Sequence, residues 1–249
     1  MDQLSDKLYA GIDLHKSYCF MTIVNQSGYI QHQARYENDK DDLVETLSRL
    51  GNIEAVVEST YGWYWLADKL EQRQIPFKLA HPKKVNAIAD KKKTDREDAK
   101  ILADLLRTNL LPTSYIPKKK TRAVKELYRF RMGLVEQRAN SKRRLHDILR
   151  KQNLTCPYTD ILGKRSLKWL IEKRMPFPYK GETKSLIKIA AVLNQQINIY
   201  DKRIKQLTAD NPEAKLLRTI PGVGAILSLI IAMEIGEISR FANNRALAS

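Results

Sequence analysis

Cysteine is nearly missing from this sequence. Cys19 and Cys156 are the only two in 249 residues, they lie far apart, and neither sits in a CxxC pair. This argues against a disulfide framework or a cysteine zinc site and fits a reducing, cytoplasmic setting. The four histidines, His15, His32, His81 and His146, show no pairing at metal-ligand spacing. No uncharged apolar run reaches the roughly 18 residues of a membrane span, so no membrane is expected as a partner. The opening MDQLSDKLYAG lacks a basic segment followed by an apolar stretch, so no secretory signal is expected. Low-complexity tracts are missing too. What remains is a globular composition, 43% hydrophobic, in a chain long enough for one large domain or two smaller ones.

Acidic charge is scarce after residue 112, and the basic excess is concentrated in one segment. Residues 1–112 hold 16 Lys/Arg against 17 Asp/Glu, a net of −1. Residues 113–174 hold 18 against 5, a net of +13, and residues 175–249 hold 10 against 6, a net of +4. An excess concentrated in one segment points to contact with a polyanion there, nucleic acid ahead of an anionic membrane surface, because no large apolar face accompanies the charge. The plainer reading is a solvated charged helix.

The hydrophobic pattern divides the chain. LYAGIDL, YCFMTIVN and YIQHQARY read as three strands of a meander. A helix over 39–50, a buried strand IEAVVES, a helix over 61–73, a strand IPFKLAH, a short helical piece VNAIAD and a helix from about Thr94 to Asn109 follow. The order β-β-β-α-β-α-β-α predicts a mixed sheet with helices on its faces. Residues 118–151 read as one long basic helix, with Arg131, Arg138 and Lys142 interrupting its apolar seam. Residues 152–183, with Pro157, Pro176, Pro178 and Gly181, read as irregular. A second long helix starts near Thr183. Its Leu186, Ala190, Leu193, Ile197, Tyr200, Ile204 and Leu207 keep 4-3 spacing, which suits either a coiled coil between subunits or packing on the 118–151 helix.

The stretch KKKTDREDAK, residues 91–100, carries the chemistry. Thr94 and Glu97 match a capping box, and acidic residues favour a first helical turn, which alone accounts for Asp95 and Asp98. Two further acids suggest more. Asp13 lies in the first strand between apolar residues, and Glu58 ends EAVVES. If those strands are neighbours, four carboxylates can meet at one sheet edge. Such a cluster is costly to ionise without divalent cations. Two Mg²⁺ ions about 4 Å apart would relieve it and would activate an attacking oxygen at a phosphodiester. Lys91, Lys92 and Lys93 would then hold phosphates beside the site.

At GIDLHK, VVESTYGWYW and KTDREDAKILADLL the sequence resembles the DEDD transposases of insertion sequences, relatives of the Piv DNA invertases that include bridge-RNA-guided recombinases. The resemblance implies an α/β fold of the RuvC-like, ribonuclease-H type. It also implies an Asp-Glu-Asp-Asp metal site at Asp13, Glu58, Asp95 and Asp98, DNA as substrate, and a guide RNA. LLRTIPGVGAILSLIIAMEIGEISRF resembles the start of the family's second domain. There Gly222 and Gly224 form a helix-hairpin-helix type turn able to approach a phosphate, or simply a turn between core helices. The family's serine nucleophile is expected beyond the motif matched by RFANNRALAS; neither Ser249 nor Ser228 fits that role.

The organisation expected is a RuvC-like domain over 1–112, a basic helical and coiled-coil segment over 113–210, and an incomplete transposase domain over 211–249. Arg129, Arg131, Arg138, Lys142, Arg143 and Arg144 are expected to contact DNA or guide RNA, and the heptad helix to assemble a homo-oligomer. Tyr61, Trp63, Tyr64 and Trp65 can stack on bases or pack a helix on the sheet. His15 can touch substrate or serve only the turn after the first strand. The expected activity is Mg²⁺-dependent DNA transposition or site-specific recombination. The alternatives are a metal-dependent endonuclease or junction resolvase, which needs no serine, and a non-catalytic nucleic-acid-binding remnant.

Overall fold

The computed structural model describes residues 6–88 and 94–248. Two compact units, 1–116 and 117–249, divide the chain. Lys91, Lys92, Lys93 and Ser249, named above, lie outside the described residues.

The first unit is a six-stranded mixed sheet flanked by helices, as in ribonuclease-H-like folds. β1 (Leu8–Leu14), β2 (Tyr18–Val24) and β3 (Ile30–Glu37) form the antiparallel meander. α1 (Asp42–Arg49), β4 (Ile53–Glu58), α2 (Trp63–Gln72), β5 (Phe77–Ala80), α3 (Pro82–Ile88), α4 (Asp95–Arg107) and the two-residue β6 (Thr113–Ser114) follow. The strand order is β3-β2-β1-β4-β5-β6. β4 runs parallel to both β1 and β5, and β6 pairs antiparallel with β5. That last pairing, with Ile116 packed on the core, carries the sheet unit past residue 112.

Alternation along the strands sorts side chains to two faces. Ala10, Ile12 and Leu14 of β1 join Ala55 and Val57 of β4 in a core beneath α1 and α2. Trp63 is buried there, Tyr64 and Trp65 pack against it, and Tyr61 stays exposed. On the opposite face Val56, Val85, Leu102, Leu105 and Leu106 form a second core under α3 and α4.

The second unit is helical: α5 (Lys119–Lys151), α6 (Lys164–Glu172), α7 (Tyr179–Asp210), α8 (Pro212–Leu217), α9 (Ala225–Ile235) and the short α10 (Asn244–Ala248). α5 and α7, 33 and 32 residues long, span about 50 Å each and pack antiparallel. Leu145 and Leu149 meet Leu186, Leu134 meets Leu193 and Ile197, and Tyr128 meets Ile204. The heptad seam of α7 is therefore filled by α5 of the same chain. α6 occupies the segment read as irregular: its prolines bracket the helix without entering it, and Ser166 and Leu170 are buried. Among the described residues no helix is long and apolar enough to cross a membrane.

Candidate functional site

Asp13 lies on the α4 face of β1, two residues beyond Gly11. A Cβ at Gly11 would stand 1.9 Å from the Ala99 carbonyl oxygen and 2.5 Å from the Ala103 amide nitrogen. The α4 backbone thus rests directly on β1, and only glycine leaves that space. Further contacts hold α4 along its length. Gln33 Nε2 donates to the Arg96 carbonyl at 3.5 Å near the N-terminus. Arg107 donates to the Gln26 carbonyl at the other end. Thr94 caps the helix, its Oγ1 accepting from Glu97 N at 3.3 Å.

The parallel register Leu8↔Ile53 to Ile12↔Val57, carried one residue further, sets Asp13 beside Glu58. Asp13, Glu58 and Asp98 line one cleft of about 90 Å³ with Val85, Asn86, Ile101 and Leu102. Asp95 joins from the neighbouring side through His15, whose Nε2 lies 2.9 Å from Asp13 Oδ2 and 3.2 Å from Asp95 Oδ1. Tyr18 donates its hydroxyl to the other Asp95 oxygen at 2.9 Å, and the Arg35 guanidinium stacks 3.9 Å over the Tyr18 ring. All four carboxylates singled out from the sequence thus border one patch of the sheet face.

Asp13 is 8% exposed. Burial pushes its carboxyl above the ordinary value, and the neighbouring Asp98 and Asp95 charges add to that rise; the charge of His15 and its hydrogen bond oppose it. Burial next to Asp13 also raises the Cys19 thiol to about 12, so Cys19 is an inert core residue. A carboxylate held out of water beside two others is the environment a divalent cation relieves. The cleft has room for an ion and a water, and the donors are hard oxygens, so the residues fit Mg²⁺. Reasoning from sequence undervalued His15, because its second partner, Asp95, lies on a helix eighty residues away. It missed Tyr18 for the same reason, and it missed Asn86, which lines the cleft.

The basic residues of α5 have varied surroundings. Arg131 is paired with Asp201 at 2.8 Å, both partners largely buried. Arg138 donates to Asn194 Oδ1 at 2.7 Å. These interruptions of the seam therefore bind α7. Arg129 pairs with Glu126 at 3.1 Å and lies 3.8 Å from Glu234. Lys142 pairs with Asp160 at 2.7 Å and Arg143 with Glu136 at 2.6 Å, all of them more than a third exposed. Arg144 is exposed. Gly222 and Gly224 lie exposed before α9, Gly222 with φ +84°, and nothing stands within 4 Å of a Cβ at either. Ser228 is fully buried and its hydroxyl donates to the Ala225 carbonyl at 3.0 Å, so it is no nucleophile.

Comparison with known proteins decides the family. The model for DEDD transposases of the IS110 type, described as Transposase, matches residues 10–153. That for the Transposase IS116/IS110/IS902 family matches residues 214–249. The chain belongs to the IS110-type transposases. Its similarity to individual members is low. The transposase for insertion sequence element IS1328 of Yersinia enterocolitica is 24% identical over 245 residues, covering 94% of this chain and 70% of the relative. The transposase for IS1111A of Coxiella burnetii is 22% identical, covering 99% and 68%. The putative transposase y4qE of Sinorhizobium fredii is 26% identical over 164 residues, 38% of its own length. The DEDD of the family name agrees with the acidic composition of the patch in this IS110-type chain.

Proposed function

We propose that this chain catalyses DNA transposition or site-specific recombination, with Asp13, Glu58, Asp95 and Asp98 holding divalent cations, Mg²⁺ by the chemistry of their oxygens. The supporting observation is spatial: acids from β1, β4 and the first turn of α4 border one cleft, and Asp13 is common to both sides of it. A bound cation would supply Lewis acidity at a phosphodiester oxygen. The protein's own contribution is orientation. Gly11 sets the height of α4 over β1, Tyr18 turns the Asp95 carboxylate, and burial by Val85, Ile101 and Leu102 lowers the local dielectric.

The helical unit supplies the polyanion surface. Lys142, Arg143 and Arg144 present charge to solvent, while Arg131 and Arg138 hold the hairpin together. The open backbone at Gly222 and Gly224 would add a phosphate contact that reads no sequence. DNA is the first partner and a guide RNA the second. We do not assign subunit assembly to the α7 seam, because α5 fills it.

The test uses supercoiled plasmid carrying the element's ends, incubated with the chain, with Mg²⁺ or with EDTA. Strand cleavage or exchange is expected only with Mg²⁺, falling at least about 100-fold in Asp13→Asn and Asp98→Asn. Nicking without strand transfer would favour the endonuclease reading. DNA binding with no cleavage under any metal would leave only a binding protein.

A further inference from the structure

Within that metal-dependent reading, we infer that the site holds two chemically unequal cation positions: an all-oxygen one of Asp13, Glu58 and Asp98, and a mixed one in which His15 contributes a nitrogen beside Asp13 and Asp95. The mixed position favours a first-row transition ion over Mg²⁺.

Three observations carry this. First, one donor atom each from Asp13, His15 and Asp95 lie mutually within 4.8 Å. Around an octahedral ion with bonds of about 2.1 Å, adjacent ligands stand about 3.0 Å apart. The separations of 2.9 and 3.2 Å from His15 Nε2 to the two carboxylates match that edge. Second, a single imidazole nitrogen faces two carboxylates with at most one proton to offer, so one acid is always left short of a donor. A metal bound to that nitrogen serves both. Third, His15 is fixed in place. Its amide donates to the Tyr18 carbonyl at 2.9 Å, its own carbonyl accepts from Asn38 Nδ2 at 2.8 Å, and its ring packs 4.7 Å from that of Tyr18. Tyr18 in turn takes one oxygen of Asp95, leaving the other aimed at His15.

The preference follows from donor type. Mg²⁺ takes oxygen and dehydrates reluctantly, whereas imidazole suits transition ions. Mn²⁺ is the probe, since of those ions it most resembles Mg²⁺ in its affinity for carboxylates and is paramagnetic.

The full chain, stripped with EDTA, is titrated with Mn²⁺ and followed by electron paramagnetic resonance and spin-echo modulation, and with Mg²⁺ by calorimetry. Wild type is expected to show ¹⁴N coupling from one imidazole on bound Mn²⁺. His15→Gln should lose that coupling and at least about 10-fold in Mn²⁺ affinity, with Mg²⁺ affinity changed less than about 3-fold. Circular dichroism checks folding. If Mn²⁺ binds, is lost in Asp13→Asn, and shows no nitrogen coupling, the role of His15 is overturned while the carboxylate site stands. Nitrogen coupling that survives in Asp13→Asn marks an adventitious ion at another histidine and overturns it as well. If neither cation binds wild type, the metal-dependent reading fails together with this one.

Discussion

The two units use charge in opposite ways. The sheet unit is nearly neutral, yet it draws its acids from three separate segments to one cleft, at the cost of burying Asp13. The helical unit, 117–249, holds 28 Lys/Arg against 11 Asp/Glu, a net of +17, and spreads most of them along α5 and α7. There Lys125, Arg131 and Arg138 each have a specific neighbour, and Arg144 faces water. Convergence of like charge makes a site that wants a counter-ion; dispersal of like charge makes a surface that wants a polymer. Net charge alone would have pointed only to the second.

The same substitution should have opposite signs in the two units, and this is the largest effect expected. Gly11→Ala forces a methyl into the α4 backbone and should destabilise the sheet unit by about 3 kcal/mol or more. Gly133→Ala, mid-helix in α5 with nothing within 4 Å of the new Cβ, should stabilise by about 0.5–1 kcal/mol. Denaturant unfolding of both variants checks this. A stable Gly11→Ala would mean that α4 does not rest on β1.

Within the basic helix, Arg131→Ala should lower stability by about 1–3 kcal/mol, because it leaves the largely buried Asp201 unpaired. Arg144→Ala should move stability by less than about 0.5 kcal/mol. For nucleic-acid affinity the roles reverse. Arg143→Gln with Arg144→Gln should weaken DNA binding and flatten the slope of log affinity against log salt by roughly 0.9 for each phosphate no longer neutralised. Fluorescence anisotropy over a salt series measures it, and an unchanged slope would move the nucleic-acid surface elsewhere.

A smaller effect separates site from scaffold by pH. Burial holds the Asp13 carboxyl above its ordinary value, so the folded state binds more protons than the unfolded chain between that value and the raised one. Stability contributed by the protonated form is therefore lost as pH rises through this window, and the deficit persists above it. In EDTA, the difference in melting temperature between Asp13→Asn and wild type should grow in the variant's favour from pH 3.5 to 7. Parallel curves would show that Asp13 carries no desolvation penalty.

What could be read beforehand was local. Period-two strands, the Thr94 cap and the 4-3 spacing of α7 depend on near neighbours in sequence. Lateral neighbours were beyond reach. The seam at Leu186 to Leu207 looks the same whether its partner is another subunit or α5, and only the register of Arg131 with Asp201 and Arg138 with Asn194 fixes which. α6 was hidden because prolines flank it closely, and β6 because two residues carry no period. At the site, the pairing of β1 with β4 was a condition that spacing could state and not decide. His15 read as a turn residue because a turn is where it sits; its partner Asp95 arrives from a distant helix.

The most direct test of the convergence is calorimetric titration of Mg²⁺ into the wild type and into Asp13→Asn, Glu58→Gln and Asp98→Asn, one acid from each contributing segment. Each substitution should weaken the same binding event by at least about 10-fold. Mg²⁺ affinity that is untouched by any one of the three would show that these segments do not share an ion.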